Sequence, residues 1–322
     1  MQSSLDKQFP TNEPARLENE HCPYCFGVLQ GTDFNLEHVI GRRFVPKGSL
    51  HQSWNLILRV CVKCNSKKSR LEDDISAITM YNQGGEDERL LQEIKRKTGS
   101  SSRGSVSKRT GKPVSASHES IEIKGQQKGV TLSGSIGDAN KRIEFAPTKA
   151  DLTVTVGMIG PPQIGLKRLE ALATMQIRAF IYYINQEAGG VYLADQGDSE
   201  VLIMLVNAAS RSDWGNSYQT SFRDQFRAWS RWRLIAHAAT GYFKCALREK
   251  ESSPMMAWAL EWNKSYRLIG YVGQRGPIES EIADLQAPTS NRTSATERIR
   301  EEVALDDSLD TLFDFDDGDS DQ

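Results

Sequence analysis

The fold of this chain is decided by residues 22–68, which read CPYCFGVLQGTDFNLEHVIGRRFVPKGSLHQSWNLILRVCVKCNSKK. The stretch contains two CxxC pairs, Cys22 with Cys25 and Cys61 with Cys64, with 35 residues between the pairs. Four thiolates in two such pairs are the donor set of a tetrahedral structural zinc site. Four unrelated buried cysteines are the alternative, but both pairs have polar surroundings. The sequence therefore predicts one structural Zn²⁺ bound by these cysteines.

Polar residues of other types lie between and after the two pairs. Glu37 and His38 are adjacent, Asn55 precedes an apolar run, and Asn65 directly follows Cys64. A neutral imidazole is well suited to take a proton near pH 7, and a carboxylate is a hard ligand that suits Mg²⁺ or Mn²⁺ better than a thiolate site does. Hydrolysis of a phosphodiester needs an activated water and positive charge near the leaving oxygen. These residue types therefore indicate two metals with separate roles.

In this stretch the chain resembles the HNH, or ββα-metal, endonuclease family. The resemblance rests on CPYC, LEHVIGRRF and WNLILRVCVKCNSKKS, and it covers about 50 residues, a sixth of the chain. It implies a metal-dependent endonuclease that hydrolyses DNA phosphodiester bonds, by nicking or by cleaving both strands, and leaves 5′-phosphate ends. A nuclease module joined to a larger domain also resembles bacterial restriction and phage-defence nucleases. One departure is Gly41, at a position where the family often has proline.

The resemblance implies a role for each residue of the pattern. His38 would be the general base, Glu37 and Asn65 would bind the catalytic Mg²⁺ or Mn²⁺, and Asn55 would tie the loop after His38 in place. Basic residues of the same module could contact phosphates, with ordinary surface charge as the alternative. These basic residues are Arg42, Arg43 and Lys68.

Composition and patterning divide the chain into five segments and predict an α+β protein. Residues 1–20 are polar and predict a disordered arm, residues 21–98 form the nuclease module, and residues 99–119 are a flexible basic linker rich in Ser. Residues 120–275 predict a larger α+β domain that controls activity or target choice. Residues 276–322 lose the apolar pattern and end in an acidic run, which predicts a disordered tail.

Hydrophobic periodicity predicts the individual elements. Helices are expected over residues 65–81, 86–97, 166–185 and 218–239. Strands are expected over residues 129–136, 141–145, 152–159, 201–206, 242–247, 256–262 and 266–272. The last helix would align Arg223, Arg227 and Arg231 as a basic stripe for phosphates, with a solvated helix face as the alternative.

The distribution of charge bears on the partners of the chain. The formal net charge is −2, and the last 17 residues contain eight Asp and no Lys or Arg. Removing these eight negative charges leaves the first 305 residues at +6, which is basic enough to permit contact with DNA. The acidic tail would restrain the nuclease by imitating DNA, or contact a protein partner. A solubilising tail is the alternative.

The sequence also limits where the protein acts. No stretch approaches the roughly 18 consecutive apolar residues of a membrane span, and the N-terminus lacks the apolar region of a signal peptide. Four of the five cysteines form close pairs, which favours metal binding in a reducing compartment. We therefore expect a soluble, cytoplasmic protein without membrane contact. The oligomeric state stays open, because cutting both strands needs a dimer or two successive events.

A second interpretation comes from a different functional class. The chain would then be a noncatalytic zinc-ribbon adaptor that binds DNA or a protein. Such an adaptor needs the four cysteines but is indifferent to His38 and Asn65, whereas a nuclease needs all six residues. Substitution of His38 therefore separates the two interpretations.

Overall fold

The computed structural model confirms the expected mixed α+β class. It contains four helices and three sheets, of three, five and two strands, within the residues that it describes. Those residues are 13–81 except 32, 43, 47 and 52; 133–134; 157–158; 166–185; 201–286 except 212, 213, 215, 216, 230, 252 and 254; and 304, 306, 310, 312 and 313. None of the described helices is long and apolar enough to cross a membrane.

The first sheet and the first helix form the N-terminal module. β1 (Ala15–Arg16) runs parallel to β3 (Leu56–Cys61), and β2 (Phe34–His38) pairs antiparallel with the opposite edge of β3. α1 (Val62–Tyr81) begins directly after β3, which confirms the helix predicted over 65–81. After β1, the described elements of the module therefore follow the order strand (β2), strand (β3), helix (α1).

The prediction of a disordered arm is wrong for residues 13–20. The backbone amide of Ala15 donates to the Asn55 carbonyl at 2.9 Å, and that of Leu17 donates to the Ile57 carbonyl at 2.9 Å. The side chain of Asn19 then accepts a hydrogen bond from the Arg59 amide at 2.8 Å. The polar composition concealed this strand, because β1 is held by backbone hydrogen bonds and contributes only partly buried apolar side chains, Ala15 and Leu17, to the core.

The second sheet has five antiparallel strands in the spatial order β6, β10, β9, β8, β7. Their bounds are β6 (Val201–Ser210), β7 (Arg231–Ala238), β8 (Phe243–Glu249), β9 (Met256–Trp262) and β10 (Tyr266–Gln274). The four strands predicted over 201–206, 242–247, 256–262 and 266–272 are confirmed. A tight turn joins β9 to β10 through Asn263 and Lys264, whose φ angles of 55° and 52° are typical of a type I′ hairpin.

Three further helices cover the two faces of this sheet. They are α2 (Leu166–Ile184), α3 (Ser217–Ala228) and α4 (Arg275–Gln286). α2, which was predicted over 166–185, packs on one face together with the N-terminal module, whereas α3 and α4 share a second apolar cluster with the other face. Every residue of the central strand β9 is buried. The sheet is therefore the middle layer of the described structure.

The helix predicted over 218–239 is wrong in its second half. The helix ends at Ala228, and Arg231 begins strand β7. Along β7, Leu234 packs toward the module and Ile235 toward the opposite face, which is the alternation of a strand. Pairing with β8 therefore overrides the helical periodicity, and Arg231 does not continue the basic stripe of Arg223 and Arg227.

Several predictions fall outside the described residues. These are the helix over 86–97, the strand over 141–145 and the linker over 99–119. Of the strands predicted over 129–136 and 152–159, the structure describes β4 (Ser133–Gly134) and β5 (Gly157–Met158), which pair in parallel.

The N-terminal module and the five-stranded sheet share a continuous apolar core. Phe180 on α2 is fully buried and stacks on Trp54 of the module with ring centres 6.0 Å apart. On its other side the same ring lies 6.1 Å from Phe243 of β8. Phe44 of the module also contacts Trp262 of β9 at 5.3 Å. The module thus packs against the larger domain through aromatic rings.

Polar bonds reinforce this junction. Gln176 on α2 is fully buried, and its Nε2 donates to the Val39 carbonyl at 3.3 Å. The indole N–H of Trp262 donates to Oε1 of Gln176 at 3.0 Å. Asn263 Nδ2 donates to Oγ1 of Thr79 at 2.6 Å. Hydrogen bonds through Gln176 therefore connect the sheet to the chain directly after His38. The turn between β9 and β10 is hydrogen-bonded to the end of α1.

The prediction that residues 276–322 are disordered is wrong for their described part. α4 covers residues 276–286 of this segment and buries Ile278 and Leu285, while Leu312 and Phe313 are buried against the same sheet face. The spacing of Ile278, Ile282 and Leu285 is that of a helix face, and this signal was present in the sequence.

Replacing Phe180 with Ala should test whether module and sheet unfold together. Loss of this ring removes aromatic contacts on both sides, so the free energy of unfolding should fall by about 3–5 kcal/mol. Urea unfolding would be followed in parallel by tryptophan fluorescence and by zinc release, and both signals should shift to lower urea together. Leu166→Ala on the exposed start of the same helix is the control and should change stability by less than about 0.5 kcal/mol. Zinc release that stays unshifted would contradict a shared core.

Candidate active site

The four paired cysteines form one cluster. Their Sγ atoms all lie within 4.8 Å of one another, and those of Cys25 and Cys61 are 3.8 Å apart. Zn–S bonds of about 2.3 Å in a tetrahedron place the sulfur atoms about 3.8 Å apart. The cluster is thus compatible with structural zinc, as the CxxC spacing predicts.

Local backbone geometry positions the two halves of the cluster. In the first half, the Phe26 amide donates to the Cys22 carbonyl at 2.7 Å, and Phe26 adopts a φ of 59° so that the chain can turn back. In the second half, Cys61 ends β3 and Cys64 lies on the first turn of α1. A metal bound here would hold the start of α1 against the loop that carries Cys22 and Cys25.

Zinc content should depend on these cysteines and not on the fifth one. Cys25→Ser removes a thiolate ligand and should reduce zinc from one ion per chain to a small fraction of that value. Cys245→Ala is the matched control, because Cys245 is buried in β8 and should leave one zinc per chain. Atomic emission on gel-filtered protein measures the ratio. Equal zinc in both variants would rule out the predicted ligand set.

Glu37 and His38 are the last two residues of β2 and pair with Leu58 and Ile57 of β3. Both side chains are half-buried. Burial lowers the pKa of His38, and the positive charge of Arg42 lowers it further, against the opposing effect of Glu37. The imidazole is therefore neutral near pH 7 and able to accept a proton.

Asn55 binds the chain directly after His38 at two atoms. Its Oδ1 accepts a hydrogen bond from the Ile40 amide at 3.1 Å, and its Nδ2 donates to the Ile40 carbonyl at 3.0 Å. Asn55 is itself buried, just before β3 begins. These bonds hold the loop after His38, as expected for a residue that ties this loop in place.

Lys68 does not offer its charge to phosphates, so this prediction is wrong. The side chain is fully buried, and its Nζ donates to Oε1 of Glu37 at 2.5 Å, to the His38 carbonyl at 3.0 Å and to the Glu72 carboxylate. Burial alone would lower the pKa of Lys68, but Glu72 and Glu37 raise it, so the ammonium keeps its proton. Lys68 therefore connects α1 to the end of β2.

Asn65 lies on α1, one turn before Lys68, and is half-buried. Residues three and seven positions apart lie on one helix face, so Asn65 shares the side of α1 on which Lys68 and Glu72 approach β2. Gly41 belongs to the same contact, because a Cβ there would clash with the Glu72 carboxylate. This close approach explains why glycine stands where the resemblance would place proline.

Two residues of this region were missed in the sequence. Glu72 could have been found, because it stands four residues after Lys68 in a predicted helix, and this is the spacing of an ion pair. Gln176 gave a weaker signal as a single amide among the apolar residues of α2. Its partners Val39 and Trp262 are distant in sequence, so only the tertiary structure identifies them.

The other predicted basic residues whose side chains are described lie on separate elements, the loop after His38 and α3. Arg42 is exposed beside the site, whereas Arg43 lies outside the described residues. On α3, Arg223 bonds to Asp224 at 2.9 Å and Arg227 is exposed. The side chain of Arg231 is among those not described. Of these predicted basic residues, Arg42 is therefore the one with a described, exposed side chain close to His38 in the sequence.

Comparison of the chain with protein-family models, with curated proteins and with solved structures finds no match. The resemblance to HNH endonucleases therefore rests on the sequence of residues 22–68 alone.

Lys68→Met should destabilise the protein strongly. The substitution leaves the half-buried carboxylate of Glu37 and the buried carboxylate of Glu72 without their shared cation, and loss of one partner of a buried ion pair typically costs about 3–5 kcal/mol. Lys67→Met removes the same charge from the exposed neighbouring position and should cost less than about 0.5 kcal/mol. Urea denaturation of both variants measures the difference. Similar stabilities would mean that the buried ion pairs contribute little.

Proposed function

We propose that this protein is a metal-dependent HNH endonuclease that hydrolyses DNA phosphodiester bonds. The observation that carries the proposal is the convergence of β2 and α1. Glu37 and His38 end β2, and α1 bonds to that end through Lys68 and presents Asn65 on the same face. A four-cysteine cluster lies where α1 begins. These are the parts, in the expected order, that the resemblance requires of such an enzyme.

His38 is the proposed general base, which accepts a proton from the attacking water. Its lowered pKa keeps the imidazole unprotonated at neutral pH, and the bonds from Asn55 to Ile40 hold the chain directly after it. Attack of the water at phosphorus breaks the bond to the 3′ oxygen, which leaves a 5′-phosphate and a 3′-hydroxyl. The role of Asn55 is thus to position the base rather than to react.

Glu37 and Asn65 are the proposed protein ligands of Mg²⁺ or Mn²⁺. Such an ion, when bound, supplies positive charge to the phosphate and to the leaving oxygen. A carboxylate has two oxygens and about four acceptor positions, so the bond from Lys68 to Oε1 is compatible with ligation by Glu37. Mg²⁺ typically keeps several waters and takes only one or two carboxylates from a protein. Lys68 would therefore orient the Glu37 carboxylate.

The proposed partner is DNA, and the larger domain is proposed to control activity or target choice. The first 305 residues carry a formal charge of +6, and Arg42 is exposed close to the base in the sequence. The larger domain bonds to the loop after His38 through Gln176, so a change in its packing would act on the position of the base. A role in restriction or phage defence is proposed by analogy with nucleases of similar organisation.

A plasmid-nicking assay tests this proposal. His38→Ala should lower the rate of supercoil relaxation in Mg²⁺ or Mn²⁺ by about 10²–10⁴-fold, because removal of a general base costs this much. His51→Ala is the matched control, since His51 is an exposed histidine of the same module and should leave the rate unchanged. All proteins would be compared at equal zinc content.

Two results would argue against the proposal. Equal nicking by wild type and His38→Ala would exclude His38 as the base. Binding of DNA without any nicking in either metal would favour the noncatalytic zinc-ribbon adaptor, which needs the cysteines alone.

A further inference from the structure

A row of polar and charged side chains crosses the five-stranded sheet on the face turned away from the module. His237, Lys244, Glu261 and Arg267 occupy β7, β8, β9 and β10, and each is the register partner of the next. Their neighbours on this face, such as Ala259 and Ile269, are buried and apolar. Glu261 and Arg267 are fully buried, and buried charges require partners of complementary charge.

The described end of the tail supplies that partner. Arg267 is fully buried, and its guanidinium donates hydrogen bonds to both oxygens of the Asp310 carboxylate, with Nη1 2.8 Å from Oδ1. Its Nε donates to the Glu261 carboxylate at 2.5 Å. Bidentate guanidinium–carboxylate pairs have strict geometric requirements. Asp310 is therefore recognised by shape as well as by charge.

Two apolar residues complete the contact. Leu312 and Phe313 are buried in the cluster that α3 and α4 form with the sheet. The ring of Phe313 lies 5.2 Å from the Arg267 guanidinium and 5.5 Å from the Lys244 ammonium, which are cation–π distances. The Phe313 carbonyl lies 3.0 Å from Nε2 of His237. Each described residue from 310 to 313 thus has a distinct set of contacts.

The charges of the row explain why an acidic segment is selected. Arg211 bonds to Glu261 at 2.9 Å, so Arg211, Lys244 and Arg267 surround a single carboxylate of the sheet. Among these four described side chains there are three positive charges and one negative charge, and Asp310 adds a second negative charge. A segment with an acid two residues before an apolar and an aromatic residue matches this charge and the apolar surface beside it.

The described residues of this segment belong neither to a strand nor to a helix. They contact the sheet mainly through side chains, so they can leave without breaking the hydrogen bonds between strands. Residue 310 follows the end of α4 at Gln286 by 23 intervening residues, a length that permits docking on the same molecule.

We propose that this row is a peptide-binding site for an acidic segment of the pattern Asp-x-Leu-Phe, and that Asp310, Leu312 and Phe313 of the same chain occupy it as a displaceable ligand. The site lies on the sheet face opposite the module, so the docked residues do not cover His38. The inference stands whether or not the module cuts DNA.

Competition with a synthetic peptide tests the proposal on the full chain. A fluorescent peptide of residues 306–322 is titrated against wild-type protein and against full-length protein carrying Asp310→Ala and Phe313→Ala. The double variant should bind the peptide at least about tenfold more tightly, because its own tail no longer competes and the apparent affinity rises with the fraction of open sites. Equal affinity for both proteins, or no binding to the double variant, would overturn the proposal.

Matched peptides separate recognition from general attraction of an acidic chain. Asp310→Asn in the peptide should weaken binding to the double variant about tenfold, whereas Asp319→Asn, with the same net charge, should change it little. An equal loss for both peptides would indicate charge alone and would overturn the proposal.

A measurement on the wild-type protein covers the case in which the double variant does not fold. Hydrogen exchange of ¹⁵N-labelled full chain distinguishes its own tail from the unlabelled peptide by mass. Exchange around residues 310–313 should accelerate several-fold as peptide is added, because the added peptide displaces the tail. Exchange that stays unchanged at saturating peptide would show that the contact is a fixed part of the fold.

Discussion

The geometry of the candidate site depends on the junction where β3 passes directly into α1. Cys61 ends the strand and Cys64 lies on the first helical turn, so a metal on the four sulfur atoms would hold that junction to the N-terminal loop. One turn further along α1, Lys68 bonds to Glu37 and to the backbone of His38. If the start of the helix moved, Asn65 and Lys68 would lose their places beside β2.

The same arrangement of charge occurs at two distant points of the molecule. Lys68 is fully buried between Glu37 and Glu72, and Arg267 is fully buried between Glu261 and Asp310. In each case one carboxylate is close in sequence and the other comes from a distant segment. A buried ion pair adds little net stability, but a misplaced segment leaves an uncompensated charge. The buried charge of Lys68 therefore favours the observed position of β2, and that of Arg267 favours the observed position of the tail.

The five-stranded sheet connects the two regions. On one face Trp262 of β9 bonds to Gln176, which bonds to the Val39 carbonyl beside His38. On the other face the preceding residue, Glu261, bonds to Arg267 and so to the tail contact. Module and larger domain are thus joined by buried contacts, although the sequence predicts a tether between residues 99 and 119.

Local patterns in the sequence account for most of the helices and strands and for the ligand set. The CxxC pairs predict the cysteine cluster, alternating or β-rich runs predict four strands of the sheet, and the apolar stripe of α2 predicts its length. These patterns suffice because each depends on side chains a few residues apart. The predicted role of Asn55 also agrees with its two hydrogen bonds to Ile40. This residue could be recognised in the sequence because the apolar run directly after it marks the start of β3.

Contacts between distant segments decided the rest. Residues 231–238 read as helix by periodicity, yet pairing with β8 makes them a strand. The sequence predicts Lys68 as a surface charge, but in the structure it is buried in an ion pair with Glu37 of β2. The sequence predicts Asp310 and Phe313 as part of a disordered tail, but in the structure Asp310 forms an ion pair with Arg267. The sequence by itself therefore determined most of the helices and strands and the four cysteines that cluster. Only the tertiary structure decided which charges are buried and what covers each face of the sheet, because burial depends on segments that the chain brings together from far apart.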